Sequence, residues 1–288
     1  MIYASLLITT YNRMELLGES LHSLYENTYY PYELVIHDEG SEPRMIQWLT
    51  KLLMEGKISE LILNAPGHNR GQGLGADRCY QVASGDYLVK LEGDEQFAPG
   101  WLEKAVRAME LFPEIGQLSL QQFYNTGYAR TKREFVVYPD WDYFVVKEFQ
   151  REETKIAAVW CSPGGQFMVR KGAWEQYGPW DYGQETVAFR MKVTPMMRML
   201  AGFDKRYPPP TDKEAYWQEF KDTPWLAALD LPVVSSHWGG GRSLIAKANA
   251  TMSPYPLILH KHGMPDYSVV RGDRFGPMPG YNWGRDLP

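Results

Sequence analysis

The stretch Ala83-Ser84-Gly85-Asp86-Tyr87-Leu88-Val89-Lys90-Leu91-Glu92-Gly93-Asp94-Glu95 runs a short apolar strand straight into three carboxylates. Crowded carboxylates are costly unless a cation or a proton compensates them. A strand end carrying such a cluster suits a divalent metal with hard oxygen ligands. Upstream, apolar runs and turn signals alternate regularly. Tyr3 to Thr9 predicts a buried strand, and Tyr11-Asn12-Arg13 turns out of it. Leu16, Leu17, Leu21, Leu24 and Tyr25 then fall at helical spacing within Glu15 to Tyr25. Tyr32 to Ile36 predicts a second strand, ending in His37-Asp38-Glu39-Gly40-Ser41. Met45 to Met54 follows as a helix, Ser59 to Leu63 as a strand, Asn69 to Gly75 as a Gly-rich loop and Ala76 to Ala83 as a helix. With Tyr87 to Leu91 as the fourth strand, the fold class is α/β around a mostly parallel sheet flanked by helices.

Ligands of such sheets bind outside the carboxyl ends of the strands. Thr9–Arg13, Asp38–Ser41 and Glu92–Glu95 all fall at such ends, and their coincidence points to a site. The second half is less regular. Trp101 to Leu111 predicts a helix stopped by Pro113, and Leu118 to Phe123, Phe135 to Tyr138 and Gln166 to Val169 predict strands. Lys147 to Lys155 reads as a polar connection, Glu185 to Met197 and Asp212 to Lys221 as helices, and Leu231 to Val234 as a strand before His237.

With 288 residues, 44% hydrophobic and 23% charged, the chain is ordinary globular material with room for a large core. Aromatic content is 14% with ten Trp, more than such a core needs; aromatic faces also stack on sugars and bases. The net charge of −5 argues against a general nucleic-acid binder. It is unevenly spread: from Arg242 onward six Lys/Arg face three Asp, so this tail carries +3 and the remainder −8. Cys79 and Cys161 show no metal spacing and read as buried thiols of a reducing compartment. No basic leader and no apolar run of the roughly 18 residues of a spanning helix is present, so a cytoplasmic protein without a membrane span is expected.

Thr9-Thr10-Tyr11-Asn12-Arg13 followed by Glu33-Leu34-Val35-Ile36-His37-Asp38-Glu39-Gly40-Ser41 resembles the opening of the family 2 glycosyltransferases, a T-Y-N-R turn and a strand ending in D-D-G-S. Ala83-Ser84-Gly85-Asp86-Tyr87 resembles that family's A-x-G-[DE]-Y lead-in, and Glu92-Gly93-Asp94-Glu95 is similar to its D-x-D-D metal motif. Gly164 to Arg170, Tyr177 to Asp181 and Gly183-Gln184-Glu185 with Arg190 resemble later segments in the same order. The likeness covers roughly residues 4 to 195.

That resemblance implies a single GT-A domain: 1–110 as the nucleotide-sugar half, 111–245 as the acceptor and catalytic-base half, and 246–288 as an irregular C-terminal extension. It implies inverting transfer of a sugar from a nucleotide-diphosphate donor, a UDP-sugar, to an acceptor hydroxyl, with Mn²⁺ or Mg²⁺. Carried over by position, Thr9 and Tyr11 border the nucleobase, Arg13 shares their nucleotide-binding turn, and Glu39 or Asp38 accepts from the base's N–H edge. Glu92 lies near ribose and metal, Asp94 binds the metal, and a late histidine, His237, reaches metal or diphosphate. Glu185 is the general base, with Asp181 as the alternative. The family's Ala-Arg-Asn is not reproduced after the Gly-rich loop, which leaves Arg78 and Arg70 as phosphate-contact candidates. Trp160 and Trp180 are candidates for the acceptor floor; Glu95 is a spare ligand or a cap.

Chemistry supports these roles separately. A diphosphate leaving group needs its charge neutralised, and an attacking hydroxyl needs a base within hydrogen-bond reach. A carbohydrate-binding protein without transfer activity is the competing reading, which the presence of carboxylates at both positions disfavours. A nucleotidyltransferase would carry a basic Gly-rich loop after its first strand, where Tyr11-Asn12-Arg13 stands instead. The acceptor is open between a glycan, another hydroxyl compound and, through the basic aromatic tail, a hydroxylated nucleic acid.

Overall fold

A computed structural model of the chain describes residues 3–69, 72–120, 127–129, 134–136, 145–160, 166–177, 210–230 and 233–236. Strand β1 (Ala4–Thr10) starts the fold, and α1 (Met14–Asn27), β2 (Tyr32–Asp38), α2 (Pro43–Met54), β3 (Glu60–Leu63), α3 (Gln72–Val82) and β4 (Tyr87–Leu91) follow in strict alternation. Then come β5 (Glu95–Phe97), α4 (Trp101–Leu111), β6 (Ile115–Ser119), β7 (Gly127–Ala129), β8 (Glu134–Val136), β9 (Val145–Arg151), β10 (Thr154–Val159) and β11 (Phe167–Arg170). Helices α5 (Lys171–Tyr177) and α6 (Lys213–Phe220) precede β12 (Trp225–Leu229) and β13 (Val234–Ser236).

Among the described residues one nine-stranded sheet runs β3-β2-β1-β4-β11-β6-β12-β10-β9. Its first four strands are parallel, as the alternation of elements predicts. Strand β11 then runs antiparallel to both β4 and β6, and β12 lies parallel to β6. Strand β10 reverses again beside β12 and pairs antiparallel with the edge strand β9.

The strands are apolar on both sides because helices cover both faces. Leu6 and Ile8 of β1 join Leu17, Leu21 and Leu24 of α1, Met45 and Leu49 of α2 and Trp101 of α4 on one face. Leu7, one residue out of phase, packs on the other face with Ala76, Cys79 and Tyr80 of α3 and with Ala83 just beyond it. Helix α2 begins with Pro43, whose missing N–H costs nothing in the first turn. Asp212 caps α6 by accepting from Ala215 N at 2.9 Å.

Several boundaries differ from expectation. The Gly-rich loop was expected to run to Gly75, but α3 already begins at Gln72, so Gly75 is a helical residue. Lys147 to Lys155 is no polar connection: it forms most of the β9–β10 hairpin, whose turn is closed by Glu152 at φ 53°. Its polar residues are those of an edge strand, partly exposed where the sheet has no further partner among the described residues. Strand β6 starts three residues before the expected Leu118 and ends at Ser119, while β5 and β12 escaped the sequence reading. Strand β5 is only three residues long, and β12 (WLAAL) carries no alternation that separates a buried strand from a helix. The expected helix over Glu185 to Met197, Cys161 and the segment 246–288 lie outside the described residues. Among the described residues no helix is long and apolar enough to cross a membrane.

Candidate active site

Strands β2, β1 and β4 are neighbours and parallel, so the ends that carry Asp38–Ser41, Thr9–Arg13 and Glu92–Glu95 lie on one rim of the sheet. Two of these turns are tied together. Asn12 N donates to Ser41 Oγ at 2.7 Å, and Glu42 N donates to Asn12 Oδ1 at 3.0 Å. Asn12 and Arg13 both adopt left-handed backbone, at φ 54° and 60°, a costly pairing for two residues that carry Cβ. Arg13 sits at the start of α1 and is exposed. Tyr11 is half-buried beside this turn; burial, then the negative charges of Glu42 and Asp38, push its hydroxyl above the ordinary tyrosine range.

Asp38 and Glu39 take different tasks. Asp38 Oδ1 accepts from Gly40 N at 3.0 Å and Ser41 N at 2.8 Å, and its Oδ2 accepts from Ser41 Oγ at 2.5 Å. This is an Asx turn that consumes the carboxylate. Glu39, 2% exposed, belongs to a ring of polar side chains instead. Asn64, the first residue after β3, donates from Nδ2 to Glu39 Oε2 at 2.8 Å. Arg78 on α3 donates to Asn64 Oδ1 at 2.5 Å and lies 3.3 Å from His37 Nε2. His37 Nδ1 completes the circuit 3.1 Å from Glu39 Oε1. A guanidinium can only donate, so Nε2 accepts and the imidazole proton resides on Nδ1, facing Glu39. Arg78, expected at a phosphate, spends its Nη1 on this ring. The sequence reading put His37 in the turn but with no role, and Asn64 escaped it; a histidine inside a buried strand and an amide at a strand end were the available signals.

The acidic turn is equally divided. Asp94 is 5% exposed, whereas Glu92 accepts from buried Lys90 Nζ at 3.1 Å. Lys90 is the one charge inside the otherwise apolar β4 and supplies a buried cation to the cluster. Glu95 begins β5, is fully buried, and neither carboxyl oxygen makes a hydrogen bond. Burial, then the neighbouring Glu92 and Asp94, push its pKa well above the carboxylate range. It is not a solvent-facing cap. Among the described residues no three His, Cys, Asp or Glu side chains converge as a ready metal cage. The donor set nevertheless fits Mg²⁺ or Mn²⁺, which one or two carboxylates hold together with phosphate oxygens and water.

Trp160 does not meet the expectation of an acceptor floor. It follows the exit of β10, which runs antiparallel to β12 and so ends at the start of β12, away from the rim of Asp94. Its ring is fully buried among Val159, Tyr216 and Leu226, with no face to offer. Arg70, Trp180, Asp181, Glu185 and His237 lie outside the described residues.

The profile of glycosyl transferase family 2 matches residues 5–178, more than half of the chain and inclusive of all three strand-end turns. The chain belongs to this family. Similar family members include the uncharacterized glycosyltransferase YwdF of Bacillus subtilis, 27% identical over 142 residues, which are 48% of this chain and 51% of YwdF. The glucosyl-dolichyl phosphate glucuronosyltransferase of Haloferax volcanii is 28% identical over 112 residues, 38% of this chain and 35% of that protein. The chain therefore spans about half or less of the length of these two relatives. Among solved structures, S. aureus TarS 1-349 in complex with UDP-GlcNAc is similar at a TM-score of 0.52 and 13% identity, over 91% of this chain and 66% of that one. GalNAc-T7 with UDP, GalNAc and Mn2+ is similar at a TM-score of 0.52 and 15% identity, over 82% of this chain and 43% of that one. These likenesses carry the fold, which is GT-A: a central mixed sheet flanked by helices.

Proposed function

We propose that this family 2 member is an inverting glycosyltransferase that takes a sugar from a uridine-diphosphate donor and passes it to an acceptor hydroxyl. The observation that carries the reading is the alignment of three functional turns at the carboxyl ends of the adjacent parallel strands β2, β1 and β4. Family membership and the UDP-containing complexes of TarS and GalNAc-T7 support it.

In this reading Glu39, not Asp38, faces the nucleobase, because the Asp38 carboxylate is spent on its own turn. An ionised carboxylate only accepts hydrogen bonds. It therefore selects a base with a ring N–H on its pairing edge, such as uracil, over cytosine or adenine. Thr9 and Tyr11 border the base. Asp94, helped by Glu92, holds Mn²⁺ or Mg²⁺, whose contribution when bound is to neutralise the diphosphate leaving group. Glu185 takes the proton from the acceptor hydroxyl as its oxygen bonds to the anomeric carbon; the bond to the diphosphate breaks on the opposite face, inverting the configuration. Asp181 is the alternative base.

A donor-hydrolysis screen over UDP-, GDP-, CDP- and ADP-sugars with Mn²⁺ tests the reading, followed by an acceptor array with the best donor. UDP-sugar turnover that stops on chelation supports it. Preference for CDP- or ADP-sugars overturns the assignment of Glu39, and absence of turnover with every donor and acceptor overturns the activity.

A further inference from the structure

The Glu39 carboxylate sits directly under α3. A Cβ placed on Gly75 would lie 2.5 Å from Glu39 Oε1, 2.6 Å from Thr9 Cγ2 and 2.7 Å from His37 Nδ1. Real Cβ atoms essentially never approach other atoms so closely, so any larger residue must displace these groups. Two of the three are the residues assigned above to the nucleobase. Glu39 Oε2 accepts from Asn64 and Oε1 lies 3.1 Å from His37 Nδ1, so a shift of the carboxylate away from α3 disturbs both contacts.

We propose that Gly75 and the ring Glu39–His37–Arg78–Asn64 form one positioning device, in which the missing side chain at residue 75 makes the space that the long glutamate side chain fills. Arg78 fixes the His37 tautomer, His37 and Asn64 hold the carboxylate as an acceptor, and Gly75 sets its depth below α3. The device rests on the reading that Glu39 recognises the base. Its chemical consequence is a coupling between positions 75 and 39: shortening residue 39 removes the tightest of the three contacts that a methyl at 75 would make, and leaves those with Thr9 and His37. A glycine serving merely as a flexible hinge would show no such coupling. Residues in contact couple measurably, whereas independent sites add.

The test is a double-mutant cycle on the full chain, read as the dissociation constant for UDP with Mn²⁺ by isothermal titration. Gly75→Ala is expected to weaken UDP binding about tenfold or more, and Glu39→Asp alone to weaken it by several-fold. The combined Gly75→Ala/Glu39→Asp chain is expected to lose less UDP affinity than the two single losses multiplied together. Additive losses, or Gly75→Ala binding like the unaltered chain, overturn the device. Should Gly75→Ala fold poorly, recovery of folding and of UDP binding in the combined chain supports the device, and a combined chain that folds no better than Gly75→Ala overturns it. An unaltered chain that binds neither UDP nor GDP overturns the functional reading and this inference with it. UDP binding with an additive cycle overturns the inference only.

Discussion

Asp94 and Glu92 stand two residues apart in different company. Glu92 accepts from a buried lysine, and Asp94 is the residue that the proposed function gives to the cation. Asp94→Ala is therefore expected to lower Mn²⁺-dependent UDP affinity by at least the 10–100-fold typical of losing an outer-shell partner, seen by titration with and without chelator. Glu95 poses a different problem. Its folded-state pKa is raised above the unfolded value, so the stability it permits is present at low pH and is lost as pH rises through the folded value. Metal-free Glu95→Gln is expected to melt above the unaltered protein at pH 8, with the gap closing towards about pH 4. Parallel melting curves across that range would contradict it. The sequence placed all three acids at one strand end but could not divide their tasks. Burial and partners do that, and both depend on residues far away in the chain, such as Ser20, whose Oγ accepts from Glu95 N at 3.2 Å.

The turn before β4 shows how a motif can be structural at the scale of elements. Glu33, near the start of β2, accepts from Ser5 Oγ at 2.5 Å, Ser84 N at 2.6 Å and Ser84 Oγ at 2.8 Å. These bonds lie at the amino ends of β1, β2 and β4, on the rim away from the candidate site. Burial alone would raise the Glu33 pKa, but the hydrogen bonds from Ser5, Ser84 and Gly85 outweigh it and hold the carboxyl below its ordinary range. Its stabilisation is therefore present above the unfolded pKa and is lost as pH falls through the lowered folded one. Glu33→Gln should cost about 1 kcal/mol at pH 7 after allowance for solvent screening, and almost nothing in acid, measured by urea unfolding. A Cβ on Gly85 would lie 2.7 Å from both Ser5 N and Ser5 Oγ, so Gly85→Ala should cost about 1–3 kcal/mol by the same measurement. The alternating first half was legible because helix and strand periods differ. The β9–β10 hairpin was not, because an edge strand shows its polar side chains to water and reads as a loop.

At the scale of the sheet the candidate site joins three parallel strands, so a ligand there reports on the parallel part of the sheet. UDP and Mn²⁺ together, at about a hundredfold excess over the dissociation constant, should stabilise the fold by about 2.7 kcal/mol. For a chain of this size that is a rise in Tm of roughly 5–10 °C, absent with either component alone and absent in Asp94→Ala. The overall architecture was readable because strand-end turns recur in order along the first hundred residues. The polar ring was not, since its four members come from β2, the ends of β2 and β3, and α3, and only the sheet order brings them together. The left-handed pair Asn12–Arg13 has a consequence for how the protein assembles. The bonds that offset its strain come from Ser41 and Glu42, about thirty residues on, beyond β2. A nascent chain that has made only β1 and α1 has nothing to hold that turn. The paired turn is therefore completed in a single event, when β2 docks beside β1, and a fragment ending before Ser41 would lack the bonds that hold it.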